Sequence, residues 1–258
     1  NFKKNIIDSP LIILMAGKGN RMKSINSTKK PYLKLNNIPL FKICNTNFKS
    51  NQKNICAING DKEDDQYMYE FNEYKKIFVN QTKSSVETLF LALNESKLPD
   101  KEGILVLPCD AAIDLSWNKL NNQLKGREEY DAIIFSFAGY PYASWKPGQY
   151  GWLKLNKDNS VRAIGYKCGW EPNFSNPIVT GHFYFPNIGR LKANLKLFIQ
   201  NKKESEKETS IDEFCGFLIT KNLKIYSYQV NDFLCLGTSE EFRTYEYWLN
   251  ANKISKIN

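Results

Sequence analysis

The chain has 258 residues, 42% of them hydrophobic and 24% charged, a balance that argues against disorder and leaves room for one large α/β domain or two small ones. Its net charge of +9 comes from lysines that never stand more than two together, and the charged stretch 202–208 mixes both signs, so no nucleic-acid-binding face is indicated. No apolar run approaches the roughly 20 residues that span a bilayer, and the N-terminal residues lack a signal-peptide pattern, so the expectation is a cytoplasmic protein with no membrane partner.

In chain order, Leu11–Met15 reads as a strand that runs into a glycine-containing loop. Pro39–Phe48 reads as a helix with proline in its first turn, and Asn54–Ile58 and Lys76–Val79 as strands. Val86, Leu89, Phe90 and Leu93 recur at spacings of three and four, which marks a helix from Ser84 to Ser96 with Ser84 or Ser85 as its cap. The fully apolar Gly103–Pro108 and Ala132–Phe137 have the texture of strands buried on both faces. This β-α-β-α order predicts a mainly parallel sheet covered by helices.

After residue 138 the texture changes. Tyr150–Leu155, Val161–Lys167 and Val179–Phe185 are strand-like runs separated by turn residues, an antiparallel excursion from the sheet. Helices follow at Ile188–Gln200 and at Ser210–Ile219, where Ser210 and Glu213 have capping-box spacing. A strand at Lys224–Val230 and a helix at Ser239–Asn250 close the chain. With no repeat and no linker, residues 1–258 read as one domain, with a first half to about 137 and a second from about 138.

The six cysteines form no C-x-x-C pair, and the single histidine, His182, cannot complete a zinc site of the usual kind. Reduced thiols are expected. The acidic group Asp61, Glu63, Asp64 and Asp65 lacks metal-loop spacing and reads as a solvated turn.

The chemistry-bearing segment is the loop Ala16-Gly17-Lys18-Gly19-Asn20-Arg21-Met22. A strand feeding such a loop places backbone N–H groups at the carboxyl edge of a parallel sheet, where α/β proteins bind ligands. Glycines permit positive φ and leave no Cβ in the way of a phosphate, and Arg21 adds a permanently charged fork suited to phosphate oxygens. The spacing matches neither G-x-G-x-x-G nor a Walker A loop, so the glycines alone are compatible with an ordinary turn.

With Leu14-Met15 before the loop, Lys30-Pro31 after it and Asn37-Ile38-Pro39-Leu40 beyond, the sequence resembles the L-A-A-G-x-G-x-R-[LM] … K-P … P-[LM] signature of the nucleoside-diphospho-sugar pyrophosphorylases. The resemblance continues along most of the chain. Leu107-Pro108-Cys109-Asp110 is similar to the strand end whose aspartate ligates Mg, and Tyr150-Gly151-Trp152 to the strand on the sugar side. Thr180-Gly181-His182-Phe183-Tyr184-Phe185 and Leu236-Gly237-Thr238-Ser239-Glu240-Glu241 resemble two further family segments.

The resemblance implies a three-layer Rossmann-like, GT-A-like nucleotidyltransferase fold, with a mixed, mainly parallel sheet and an antiparallel β excursion for the acceptor. It implies transfer of a nucleoside monophosphate from an NTP to a small phosphorylated acceptor, releasing pyrophosphate, in surface-polysaccharide precursor synthesis. Met15, Ala16, Gly17, Lys18, Gly19, Arg21, Lys30, Gln81, Pro108 and Asp110 would hold the nucleotide, with Arg21, Lys30 and Asp110 carrying catalysis. Tyr150, Gly151, Lys167 and His182 would face the acceptor, and Asp110 and Asp232 would hold Mg.

The residues also admit plainer readings. Asp110 could cap a turn, Lys167 could be a solvated strand lysine, and His182, among alternating aromatics, fits a satisfied buried histidine better than a contact residue. The aromatics of 140–152 fit packing as well as they fit a pocket. The family's second metal-binding aspartate falls at Cys235-Leu236, and Asp232, at strand spacing, would face away from Cys235. The proline of the family's E-K-P is absent at Tyr166-Lys167, which leaves the acceptor open. Two rivals stand beside the transferase: a glycosyltransferase of the related fold, which would need a D-x-D that Asp110 and Asp114 do not supply, and a silent nucleotide-binding domain.

Overall fold

The computed structural model describes residues 9–17, 28–48, 54–79, 82–124, 130–166, 175–201 and 209–254. In chain order the first elements are β1 (Leu11–Leu14), β2 (Lys34–Leu35), β3 (Ile38–Pro39), α1 (Leu40–Cys44), β4 (Asn54–Ile58), α2 (Lys62–Gln66), β5 (Lys75–Phe78) and α3 (Ser85–Ser96). They are followed by β6 (Ile104–Pro108), β7 (Ala111–Asp114), α4 (Trp117–Leu124), β8 (Ala132–Phe137), α5 (Pro141–Trp145), β9 (Gly151–Leu155) and β10 (Val161–Tyr166). The last are β11 (Ile178–Phe185), α6 (Ile188–Gln200), α7 (Ile211–Thr220), β12 (Ile225–Gln229), β13 (Asp232–Cys235) and α8 (Ser239–Ile254).

Among the described residues nine strands form one sheet. Strands β5, β4, β1 and β6 run parallel in that order, as the β-α-β pattern predicts. Strand β11 then joins β6 antiparallel and also pairs β8, which carries β12 parallel at the far edge. The excursion β9–β10 hangs on the first residues of β11, where Ile178 pairs Trp152. The sheet is therefore the mixed α/β sheet expected, with β11 as the hinge between its two parallel blocks.

Alternation along the central strands divides the core. Ile12 and Val106 face the layer made by α3, α6 and α7, while Ile13, Leu105 and Leu107 face the opposite side. Helix α3 buries Val86, Leu89 and Leu93 completely, the face that its spacing predicts, and each such side chain contributes about 2 kcal/mol of burial. A third, smaller cluster joins Leu33, Leu35, Leu40 and Cys44 to Leu236 and Phe242, and so seats α8 on the α1 region.

The departures from expectation have local causes. Helix α1 stops at Cys44 because Asn45 leaves helical geometry and spends its amide on the carbonyls of Phe41 (2.8 Å) and Pro108 (3.1 Å). Strands β7 and β13 pair antiparallel with each other, an association of two four-residue runs that neither run announces alone. Asp64 is not in a solvated turn: it is 2% exposed and accepts hydrogen bonds from Tyr32 Oη (2.6 Å) and from the Gly60 amide (2.7 Å). Among the described residues no helix is long and apolar enough to cross a membrane.

Candidate active site

Strands β1 and β6 lie side by side with Leu14 opposite Pro108, so both deliver their following residues to the same edge of the sheet. That is the edge where parallel α/β sheets place ligands. Met15 is fixed there by its amide, which donates to Ala57 O at 2.9 Å. Beyond it the chain turns outward at Gly17, where a Cβ would meet nothing within 4 Å. Its φ is not among the positive ones, so glycine at this position gives clearance rather than left-handed geometry. Lys18, Gly19 and Arg21 lie outside the described residues, as do Gln81 and Lys167.

The chain returns as a short 3₁₀ turn, Lys30-Pro31-Tyr32, with Pro31 at its start. Its orientation is set by buried Asp64 in α2. Lys29 Nζ pairs with Asp64 Oδ1 at 3.0 Å and with Asp61 Oδ2 at 2.5 Å, while the Tyr32 ring stacks on Tyr67 at 4.3 Å. With Lys29 fastened on one side, Lys30 reaches across the sheet edge and forms an ion pair with Asp110 Oδ2. The Lys30 side chain is 9% exposed and that of Asp110 19%, so the pair sits at the mouth of the edge rather than in the core.

Asp110 is held by its backbone on both sides: Asn45 donates to Pro108 O, and the Leu236 amide donates to Asp110 O at 2.8 Å. The second bond brings in the turn after β13. A Cβ at Gly237 would lie 3.2 Å from Asp110 Oδ2, 3.2 Å from Cys235 Sγ and 3.7 Å from Lys30 Nζ. Gly237 is thus the wall on which carboxylate, ammonium and thiol converge. Burial and the nearby charges of Glu241 and Asp110 push the Cys235 thiol well up, so it stays protonated.

From the same turn, Thr238 caps α8 in a reciprocal box: the Glu241 amide donates to Thr238 Oγ1 at 3.3 Å, and Glu241 Oε2 accepts from the Thr238 amide (3.1 Å) and hydroxyl (2.8 Å). Glu241 Oε1 accepts from Tyr150 Oη (2.6 Å) and Tyr140 Oη (2.9 Å). This carboxylate, 3% exposed, ties the Gly237 turn to the excursion strand β9. Burial above all, with nearby Cys235 and the charge of and bonds to Glu241, raises both tyrosine hydroxyls far above their ordinary range.

The structure therefore brings together Met15, Ala16, Gly17, Lys30, Pro108 and Asp110 of the expected nucleotide residues. Tyr150 lies beside this group, but its hydroxyl is committed to Glu241 and not to an acceptor. Gly151 is required for another reason: a Cβ there would sit 2.5 Å from Asp212 Oδ2 and 3.3 Å from Val179 Cγ2.

Two expected site residues are placed elsewhere. His182 is 0% exposed, in the β11 irregularity beside Gly181 (φ +85°), with Nδ1 donating to Thr180 O at 3.2 Å and its ring stacked on Phe48 at 5.5 Å. It is a core histidine without access to an acceptor. Burial drives its imidazole down to about 3, partly opposed by the Thr180 backbone and the charge of Asp110. Asp232 pairs across from Asp114 at the far end of the β7–β13 pair, whereas Asp110 lies opposite Leu236. Four residues of strand separate the two aspartates, on the order of 13 Å, so one ion cannot join them.

The sequence places Glu241 and Tyr140 in segments of interest and Asp64 in a solvated turn, without showing what each of them bonds. The T-x-x-E spacing of Thr238 and Glu241 is a visible cap signal, whereas nothing near Asp64 in sequence announces Lys29 or Tyr32.

A mixed α/β sheet that gathers a Gly loop, a Lys-Pro turn and a strand-end aspartate at one carboxyl edge has the architecture of a nucleotidyltransferase. The sequence pattern of the MobA-like NTP transferase domain matches residues 11–194, and the chain belongs to that family. No curated protein matches the sequence. Among solved structures, the nucleoside-diphosphate-sugar pyrophosphorylase from Vibrio cholerae RC9 superposes with a TM-score of 0.72 at 14% identity, covering 92% of this chain and 99% of that one. The inositol-1-phosphate CTP transferase from T. maritima gives 0.66 at 14%, with 90% and 91% covered. HddC from Yersinia pseudotuberculosis gives 0.65 at 16%, with 93% and 99% covered. At these identities the likeness is one of fold.

Proposed function

We propose that this transferase moves a nucleoside monophosphate from an NTP to a small phosphorylated acceptor, a sugar phosphate or a related phosphate, and releases pyrophosphate. The observation that supports it most is the ion pair between Lys30, on the Lys30–Tyr32 turn, and Asp110, just after β6 at the edge where β1 also ends. The whole chain would serve as one unit, residues 1–137 taking the nucleotide and 138–258 the acceptor. A role in surface-polysaccharide precursor synthesis, in the cytoplasm, goes with this reading.

Such a transfer needs positioning and charge neutralisation more than covalent help. An acceptor phosphate oxygen attacks the α-phosphorus in line with the departing pyrophosphate. In this reading the loop amides at Ala16 and Gly17 would serve the phosphates, and Lys30 and Arg21 would meet the charge that grows on pyrophosphate.

Asp110 fits a Mg site. Mg keeps several waters and phosphate oxygens and needs only one or two carboxylates, and the position already accepts a cation in the form of Lys30. Among the described residues no three His, Cys, Asp or Glu side chains gather as a metal cage. When bound, Mg would neutralise phosphate oxygens and draw charge from the reacting phosphorus.

The test is a pyrophosphate-release screen of five NTPs against hexose, heptose and inositol phosphates, phosphocholine and phosphonates. Release that needs Mg, one NTP and one acceptor class supports the proposal. NTP-independent behaviour throughout, or transfer of sugar from a nucleotide sugar instead, sinks it.

A further inference from the structure

We infer that Asp64, which lies outside the site, is a positioning residue for Lys30 and so for the pyrophosphate that leaves. This role rests on the transferase reading and extends it to a residue that would touch neither substrate. A three-residue 3₁₀ turn has little stability of its own. That of Lys30–Tyr32 closes through Tyr32 N–H to Lys29 O (3.0 Å) and Leu33 N–H to Lys30 O (3.3 Å), with no side-chain cap at its start. Its place must come from outside. Both ends of the turn find it at the same atom: Lys29 Nζ donates to Asp64 Oδ1 at 3.0 Å, and Tyr32 Oη donates to that oxygen at 2.6 Å. Lys30 stands between these two anchors.

The carboxylate is fastened in turn to the sheet. Its second oxygen accepts from the Gly60 amide at 2.7 Å and from the Asp61 amide at 3.3 Å, just beyond the end of β4. Strand order is β6-β1-β4, so Asp64 references the turn to β4 while Lys30 reaches Asp110 after β6, on the far side of β1. The two neighbouring lysines thus straddle the strand that feeds the Gly loop, one held by the fold and one offered to the mouth. Asp64 is buried with donors on both oxygens, so water cannot make good the loss of its charge. A misplacement of about 1 Å in a reacting site can cost on the order of 10²-fold in rate, so a carboxylate one anchor away from Lys30 can be felt at the phosphates. The Tyr32 ring also packs on Tyr67, Phe41 and Phe71, which keeps the turn folded without its hydroxyl and makes Tyr32→Phe a mild probe.

The probe is inorganic pyrophosphate with Mg, the product that Lys30 would meet, titrated by ³¹P NMR so that weak affinities are reached. Wild type, Asp64→Asn, Tyr32→Phe and Lys30→Ala are compared with Asp64→Asn and Tyr32→Phe each combined with Lys30→Ala. Circular dichroism confirms each fold. Lys30→Ala is expected to weaken binding about tenfold, the scale of one charge-assisted hydrogen bond. Asp64→Asn and Tyr32→Phe should each weaken it at least about threefold alone, and by less than about 1.5-fold once Lys30 is alanine, because they act through that lysine. Equal losses in both backgrounds would mean that Asp64 serves the fold at large and would overturn the assignment, as would unchanged binding in the two single variants. If Asp64→Asn does not fold, Tyr32→Phe decides by the same comparison. A wild type that binds no pyrophosphate, or a Lys30→Ala variant that binds it equally well, instead removes Lys30 from the phosphates, and the role of Asp64 falls with that reading.

Discussion

Two carboxylates flank the Gly237–Thr238 turn, and they are opposites. Glu241 is 3% exposed and has both oxygens occupied by four donors from Thr238, Tyr140 and Tyr150. Asp110, on the other side of the turn, is 19% exposed, ends the most apolar strand, and meets a lysine ammonium at the mouth of the sheet edge. A carboxylate saturated by neutral donors is committed to the fold, whereas one paired with an ammonium at the mouth of a sheet edge is placed to meet a cation. The lesson is that burial and charge do not by themselves mark a reactive group; the kind of partner does.

If that contrast holds, activity and stability should separate between the two. The largest effect is expected on turnover: Asp110→Ala, Lys30→Ala or Arg21→Ala should each cut pyrophosphate release at least about a hundredfold, the scale of a lost preorganised charge contact. Near-native rates in all three would remove the site. Next comes Glu241→Ala, which strips two tyrosine hydroxyls and a helix cap of their acceptor. It should cost about 2 kcal/mol, a fall of roughly 4–8 °C in the unfolding midpoint at this chain length. Asp110→Asn should lose less stability than Glu241→Ala and far more activity. The reverse ranking by calorimetry and kinetics would break the comparison.

A smaller effect is set by pH. His182 is kept neutral in the fold, its imidazole lowered from 6.5 to about 3, so the unfolded chain takes up a proton that the folded one refuses. Stability from this group is complete above pH 6.5 and falls as pH drops toward 3, by about 1.4 kcal/mol per unit. Urea midpoints measured from pH 7 to 4 should fall less steeply in His182→Phe than in wild type; parallel slopes would show that the histidine is not protected. The smallest effect belongs to Asp232→Asn. Placed at the far end of the β7–β13 pair, it should leave turnover within about twofold, as surface changes away from a site do. A hundredfold loss there would restore Asp232 to the metal.

Much of this was legible in the sequence because its signals were local. Apolar runs gave β6 and β8, a three-and-four spacing gave α3, and S-x-x-E gave the start of α7 with its full capping box. Lys30 and Asp110 stand out by motif resemblance, and the Lys30–Tyr32 turn brings them together beyond the end of β6. What remained illegible was long-range. The β7–β13 pairing joins segments about 120 residues apart, and that register alone decides that Cys235 and not Asp232 approaches Asp110. Asp64 looked like one of several solvated acids, because the lysine and tyrosine that bury it lie more than thirty residues earlier. His182 carried the only imidazole in the chain, which drew attention to its chemistry, while its 0% exposure comes from Phe48 and the β11 irregularity.

The central claim is that the β1–β6 edge binds a nucleoside triphosphate with Mg. It is tested most directly by thermal unfolding of wild type and Lys30→Met with Mg and each of CTP, UTP, GTP, ATP and dTTP, which needs no knowledge of the acceptor. A ligand at 100 times its dissociation constant adds about 2.7 kcal/mol, a rise of several degrees at this size. The account predicts that one nucleotide raises the wild-type midpoint well above the others and that Lys30→Met loses much of that rise. No shift with any nucleotide, or an equal shift in the variant, would contradict it.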